Sequence, residues 1–251
     1  MKFCICFFGV ISRSLKYTFK SIKLNILDIL KENNIDYDIY IHNNYIQTLN
    51  CPRGKEFNCK LDNSIYKQLN PIKFSETNQS DFDKSYNWHQ IFKNGDIHND
   101  GFSSIKNAIR ELHSVKQVTK LWENTEENYD FFIYLRPDLL YINKLDIELI
   151  LQNIHNTNLL FTPNWSKFNG LNDRIYFGNK DTILKIAKRI DLIPELISKT
   201  RRKYHAEYFM GLVVKAFNIS TIDIKLKGLR VRATGKIVET WEKIPSFLLT
   251  Q

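Results

Sequence analysis

Five consecutive apolar residues, Phe131-Phe132-Ile133-Tyr134-Leu135, constrain the fold of this 251-residue chain more than any other feature. The run is aromatic and aliphatic, is bounded by polar residues and is too short for a helix of its own. It reads as a strand buried on both faces. It stops abruptly at Arg136-Pro137-Asp138 and turns apolar again at Leu139-Leu140-Tyr141. In open α/β sheets, ligands bind at the carboxyl ends of the strands. A carboxylate there can hold a divalent cation, and a guanidinium can grip phosphate or another carboxylate with two hydrogen bonds. The Arg-x-Asp pair points to a site for a phosphorylated ligand.

The chain opens with an apolar strand pattern at residues 3–8 and a turn at residues 9–13. Leu15, Phe19, Ile22, Ile26, Ile29 and Leu30 then recur mainly at steps of three and four. That spacing predicts an amphipathic helix ending near residues 33–34. Residues 37–41 read as the next strand, with His42-Asn43-Asn44 just past it. Strand, helix and strand imply a parallel pair joined by a right-handed crossover. From residue 47 to about residue 100 the pattern dissolves into Ser, Asn and Asp with Pro52 and Pro71, and only residues 66–69 suggest a short helix. A loop of that length is unusual and is often functional, so part of it is expected to cover the site or bind an acceptor, and Asn87-Trp88-His89 lies in this region. A second long helix should follow, capped by Ser103 or Ser104 and carrying Ile105, Ile109, Leu112, Val115, Thr119 and Trp122 on one stripe. Further helices are expected at residues 145–153, 180–190 and 204–217, and strands at 159–162, 174–178, 220–224 and 229–232, with a loop containing Gly170 at 164–172. The fold class is therefore α/β, a mixed and mostly parallel central sheet flanked by helices. One domain over residues 1–251 is expected, with an irregular insertion at about 47–100.

Hydrophobic residues make up 43% of the chain, enough for a sizeable core. The formal charge of +9 is spread out, the tight cluster Lys199-Thr200-Arg201-Arg202-Lys203 excepted. That cluster reads as a solvated loop. Dispersed charge without a recognised motif argues against nucleic acid as the partner and suits an anionic small ligand. Cys4 and Cys6 share one face of the first strand and read as buried thiols. Cys51 and Cys59 lack metal-ligand spacing. Free thiols suit a reducing, cytoplasmic compartment. Lys2 and the apolar residues 3–11 fit a buried strand better than a leader. No transmembrane segment is expected, since no stretch reaches the roughly 20 apolar residues a membrane helix needs.

The sequence holds no GxGxxG, GxxxxGK[ST] or GxSxG. Phosphates would have to be met by a metal and by basic side chains. Asp138 is the best ligand for Mg²⁺ or Mn²⁺; alternatively it caps the following turn or pairs with Arg136. Arg136 either neutralises a diphosphate or forms a structural salt bridge.

DFFIYLRPDLLY resembles the (V/I)-x-R-x-D stretch of GT-A-type glycosyltransferase-like proteins of large DNA viruses and microbial polysaccharide gene clusters. KFCICFFGVISRS resembles that family's first strand and nucleotide-facing loop, and DYDIYIHNN its nucleotide-side strand. GLNDRIYFGNKD resembles its G-x-N-D-R segment. YHAEYFMGLVVKAFNI with LRVRATG resembles its late Glu-bearing helix and Arg-containing strand. The order of these segments along most of the chain carries the resemblance.

The resemblance implies a GT-A-like fold and a nucleotide-sugar-dependent glycosyltransferase. Its donor would be a UDP-, GDP- or dTDP-sugar and its acceptor a glycan or glycoprotein. GT-A relatives carry Asp-x-Asp, or a degenerate equivalent, at this strand end to bind the metal and the donor diphosphate. Here Arg136 takes the first acidic position and leaves Asp138 alone. His205 would complete the metal site, or is a surface histidine at a helix start. Asp173 would face the acceptor and take its hydroxyl proton, with Glu207 the competing base. Their alternatives are a turn aspartate and a first-turn helix glutamate. Gly9, Arg13 and His42 would line the nucleotide pocket, unless Gly9 only permits a turn. Two rival readings remain. One is a nucleotidyltransferase, for which GVISRS is a poor phosphate loop. The other is a non-catalytic glycan- or nucleic-acid-binding module on a degenerate transferase fold.

Overall fold

A computed structural model of the protein describes residues 1–198, 200, 202–238, 244, 245 and 248. The first strand, β1 (Lys2–Gly9), leads into α1 (Leu15–Ile22) and α2 (Asp28–Glu32), then β2 (Asp36–Tyr45). The two helices join through a widened turn at Lys23–Leu27. There the Asn25 carbonyl accepts the Leu145 amide at 2.8 Å, and the Asn25 side chain donates to the Tyr141 carbonyl at 2.7 Å. The expected helix is thus present but carries a π turn that ties it to Tyr141 and Leu145.

The second strand continues beyond residue 41, and His42, Asn43 and Asn44 lie within it, buried. Residues 47–100 are ordered rather than irregular. They hold a hairpin, β3 (Thr48–Cys51) and β4 (Glu56–Lys60), then β5 (Lys73–Asn78), α3 (Gln79–Ser85) and α4 (His89–Phe92). These strands are short and mostly polar, so period-2 reasoning misses them. Next comes α5 (Ser103–Glu123). Neither serine caps it. Asp100 does, accepting the Ser104 amide at 3.2 Å.

The remaining elements are β6 (Phe131–Leu135), β7 (Leu139–Tyr141), α6 (Ile147–Asn153), β8 (Leu159–Pro163), β9 (Ile175–Gly178), α7 (Lys180–Ala187), α8 (Ile193–Ser198), α9 (Ala206–Ala216), β10 (Ser220–Ile224) and β11 (Gly228–Arg230). Among the described residues, seven strands form the central sheet in the order β10-β8-β9-β6-β1-β2-β5. β1 pairs in parallel with β2 and β6, β2 with β5, and β8 with β10, while β9 runs against both β6 and β8. The fold is mixed α/β with a mostly parallel sheet flanked by helices.

Alternate residues of β1 explain why both faces are covered. Phe3, Ile5 and Phe7 join a core with Leu15, Ile22, Ile26 and Leu30 of the first helical layer. Cys4, Cys6 and Phe8 face the opposite core with Ile109, Leu112 and Val115 of α5, Ile183 of α7 and Phe209 of α9. Burying each such side chain stabilises the fold by roughly 1.5–3 kcal/mol. Both β1 thiols are free and fully buried, as expected; Cys51 and Cys59 are free and half-buried. Within the basic run at 199–203, Lys199 and Arg201 lie outside the described residues, and Lys203 donates to the Asp96 carbonyl at 2.8 Å. Among the described residues no helix is long and apolar enough to cross a membrane.

Candidate active site

Four chain segments converge at the carboxyl edge of the parallel strands. β1 ends at Gly9, whose φ of +99° suits glycine and whose amide donates to Ser114 Oγ at 2.8 Å. The turn beyond it is held by Asn43 Oδ1, which accepts the Ile11 amide at 3.1 Å, and it delivers Arg13. β6 ends just before Arg136. Because β9 is antiparallel, its start lies at this same edge, and the Arg136 amide donates to the Arg174 carbonyl at 3.2 Å. β7 pairs with β11 in a separate ladder with Leu139 opposite Arg230, and the Val231 amide donates to the Asp138 carbonyl at 2.8 Å. This ladder carries Arg230 and Arg232 to the site. The strand expected at 229–232 therefore serves the site rather than the main sheet.

These segments frame a cleft in two adjoining parts. The inner part, about 270 Å³, is lined by Gly9, Arg13, Glu111, Arg136 and Asp138 among others. The outer part, about 530 Å³, is lined by Arg13, Glu111 and Arg136 again and by Asp173, Arg174, His205, Glu207 and Arg232. Arg13, Glu111 and Arg136 form the wall between them.

Charge is closely paired on that wall. Arg136 donates to both Asp138 oxygens, from Nε at 2.9 Å and Nη2 at 2.7 Å, and from Nη1 to Glu111 Oε2 at 2.8 Å. Arg13 Nη1 lies 3.8 Å from Asp138 Oδ2. Burial alone would raise the Asp138 carboxyl, but Arg136 and Arg13 overcome it and hold the group well below the usual carboxylate range. Glu111 differs. Burial dominates there, Asp173 and Asp138 add repulsion, and the carboxyl is pushed up to about 7 despite Arg136. Its second oxygen, Oε1, is buried with no hydrogen-bond partner among the described residues.

The outer part holds a second group. Glu207, in the first turn of α9, has Oε2 3.0 Å from His205 Nδ1 and Oε1 3.7 Å from Arg174 Nη2. Burial works against its charge, yet His205 and Arg174 bring it below its ordinary value. His205 rises in return, chiefly through Glu207. Asp173 is raised by burial and by the neighbouring Glu207. Gly170 lets the preceding loop approach α9. The Leu171 amide donates to the Glu207 carbonyl at 3.0 Å, and a β-carbon on residue 170 would collide with that carbonyl.

The cleft thus brings together Gly9, Arg13, Arg136, Asp138, Asp173, His205 and Glu207. His42 is not among them. It is buried inside β2, with Nδ1 2.8 Å from Ser114 Oγ and Nε2 2.9 Å from Thr77 Oγ1. Burial, then the nearby His113, lower its pKa to about 3. Its role is to fasten β2 and β5 to α5, which corrects the expectation of a nucleotide contact. The residues also do not fit a divalent cation at Asp138 and His205. Both Asp138 oxygens are taken by Arg136, His205 turns to Glu207, and no group of three or more His, Cys, Asp or Glu side chains able to hold a metal occurs among the described residues. Two carboxylates at the site go unseen in the sequence, Glu111 and Glu56, and Arg232 enters there only as part of the Arg-containing LRVRATG segment. Glu111 is one position from Leu112 on the apolar stripe of α5, which is the only available hint.

No family model matches the chain, and no curated protein matches it. Among solved structures it is similar to mouse xyloside xylosyltransferase 1 in its apo form, at a TM-score of 0.47 and 9% identity, over 89% of this chain and 85% of that one. It is also similar to a glycosyltransferase involved in the glycosylation of the major capsid of PBCV-1, at a TM-score of 0.43 and 13% identity, over 89% and 82% of the two chains. A third is the galactosyltransferase LgtC in complex with donor and acceptor sugar analogues, at 0.42 and 12% identity, over 85% and 70%.

Proposed function

We propose that the protein is a glycosyltransferase that moves a sugar from a UDP-, GDP- or dTDP-sugar to a hydroxyl of a glycan or glycoprotein. The observation that carries this reading is the division of the cleft. Arginines gather at its centre around the end of β6, and the buried carboxyls Asp173 and Glu207 lie in the adjoining outer part. The donor diphosphate belongs beside Arg13, Arg136 and Arg232, whose positive charge would balance its oxygens. The acceptor belongs in the outer part, beside Asp173.

In that pose the acceptor oxygen bonds to the anomeric carbon as the bond from that carbon to the diphosphate oxygen breaks. The electron pair leaves with the diphosphate, and arginines stabilise the growing charge. The hydroxyl proton passes to a carboxylate. Asp173, with raised proton affinity, suits that role better than Glu207, whose charge is already held by His205 and Arg174. Catalysis would rest on positioning and electrostatics. Since the donor set does not fit a cation, no step is assigned to one.

The test is thermal stability against a panel of nucleoside diphosphates and nucleotide-sugars, with and without Mn²⁺. Ligands that bind only the folded state raise the melting temperature. A selective rise with one nucleoside diphosphate, equal in the presence and absence of Mn²⁺, supports the reading and names the base. No rise with any of them would overturn it.

A further inference from the structure

Glu56 is the most deeply buried carboxylate at the cleft, with 0% exposure, yet it sits on the hairpin β3–β4, which has hardly any core of its own. In that hairpin only Leu49 and Glu56 are buried, and Phe57 is 63% exposed. An isolated two-stranded hairpin is marginally stable in water. What holds this one at the cleft is its charge. Arg13 grips Glu56 with Nε at 3.0 Å from Oε1 and with Nη2 on Oε2. Arg232 Nη1 lies 3.5 Å from Oε2, and the Ala233 amide donates to Oε1 at 2.7 Å. Two guanidiniums and a backbone N–H converging on two oxygens is the donor set that phosphate recognition uses.

The pocket is not fully satisfied by its present occupant. Arg232 is 9% exposed, and its Nε is buried with no hydrogen-bond partner among the described residues. Among the described residues Arg232 has only Glu56 as a carboxylate partner, and it shares that carboxylate with Arg13; the Asp138 carboxylate, 3.8 Å from Arg13, accepts both of its hydrogen bonds from Arg136. Burial and the adjacent Arg13 hold the Arg232 guanidinium below its ordinary value even with Glu56 in place. An anion with more charge and more oxygens than a carboxylate would fit this donor set better.

We propose that Arg13, Arg232 and the Ala233 amide form a diphosphate-binding subsite, and that Glu56 on its weakly anchored hairpin occupies it until a diphosphate displaces it. The hairpin is then a plug: closed it shields the arginines, and opened it admits the ligand. The pocket stands on its own geometry. Only the carrier of the phosphates, a nucleotide rather than free pyrophosphate, rests on the transferase reading above.

The experiment is calorimetric titration of inorganic pyrophosphate, and separately of the nucleoside diphosphates, into the wild-type protein and Glu56→Gln. The amide keeps the size and one acceptor of the side chain but loses the competing charge. Glu56→Gln should bind pyrophosphate about tenfold more tightly, because the closed state no longer competes as strongly. Adding Arg232→Met to that variant should return the affinity to the wild-type level or below. Unchanged or weaker binding by Glu56→Gln, or a gain that survives Arg232→Met, would overturn the proposal. Should Glu56→Gln fail to fold, hydrogen exchange of the wild-type protein decides: faster exchange at residues 48–60 on adding pyrophosphate supports the plug, and unchanged or slower exchange overturns it. Pyrophosphate binding without any nucleotide binding would keep the subsite and sink the nucleotide-sugar reading. Nucleotide binding indifferent to Glu56 would do the reverse.

Discussion

The Arg136 guanidinium straddles the Asp138 carboxylate two residues further along the chain, with Nε and Nη2 at 2.9 and 2.7 Å from its two oxygens. Two residues whose spacing suggests a pair of ligand contacts satisfy each other first. The carboxylate orients the guanidinium, and its remaining nitrogen reaches Glu111. Arg136 is thereby fixed in the wall that both parts of the cleft share, with its fork turned to Asp138.

Removing Asp138 should therefore affect the fold as well as the site. Its side chain is 4% exposed and that of Arg136 is 18% exposed, so Asp138→Ala leaves a mostly buried cation with Glu111 alone. The expected loss is about 3 kcal/mol in urea denaturation at pH 7. The Asp138 pKa is depressed in the folded state, so its contribution is complete well above the unfolded value of about 3.9 and is lost only gradually as pH falls from there through the folded value, which lies well below the usual carboxylate range. Denaturation at pH 7 and pH 3 should show the gap between variant and wild type narrowing in acid without closing. Equal stability at pH 7 would show that the pair does not hold the cleft together.

Glu111 carries the opposite sign. Its carboxyl is pushed up to about 7 by burial, so the folded protein holds a proton that the unfolded chain releases near pH 4.3. Stability from this group is greatest in acid and falls as pH rises from about 4 to about 7. Glu111→Gln retains an acceptor for Arg136 and removes that dependence. It should match the wild type near pH 4 and exceed it by a few kcal/mol at pH 8. Urea midpoints across that range would check it; a variant less stable than the wild type at pH 8 would mean that the Arg136 pairing outweighs burial.

What the sequence reveals here follows from how each element is held. β1, β6 and β8 are continuous apolar runs, and the first helical layer and α5 carry clear stripes, so period and length identify them. Arg136 and Asp138 follow from position at a strand end. The tail of β2 does not read as strand, because His42, Asn43 and Asn44 are buried through hydrogen bonds to Ser114, Ile11 and Arg110 that lie far off in the chain. The hairpin β3–β4 is held at the cleft by Glu56, and a lone glutamate in a polar stretch carries no pattern. Arg232 likewise gains meaning only once β11 pairs with β7.

Gly170 offers a test of how the outer part is built. The backbone carbonyl of Glu207 occupies the place where a β-carbon on residue 170 would go. Gly170→Ala must displace the loop from the first turn of α9, at a cost of about 1–3 kcal/mol for overpacking. Because that turn carries Glu207 and follows His205, the variant should also weaken acceptor use, raising the acceptor KM more than the donor KM. A fully stable, fully active Gly170→Ala would show that the close approach is dispensable.

Asp173 gives the sharpest division between catalysis and architecture. Burial and Glu207 raise its carboxyl, so the ionised form needed to take a proton is disfavoured in the folded state. The unfolded chain ionises near pH 3.9, and stability falls as pH rises from there through the folded value. Asp173→Asn relieves that strain and should be more stable than the wild type at pH 8. As the proposed base, however, the same carboxylate should supply about 10²–10⁴-fold in rate. Asp173→Asn should then lose kcat by that factor with donor KM little changed, while Glu207→Gln loses less. In the wild type the acidic limb of kcat/KM should lie above the ordinary aspartate range, and activity should rise with pH through it. A variant that is both more stable and catalytically dead marks a group kept for chemistry at the expense of the fold. If Asp173→Asn is less stable and transfers sugar within a few-fold of wild type, Asp173 is a structural carboxylate and the base must be sought at Glu207.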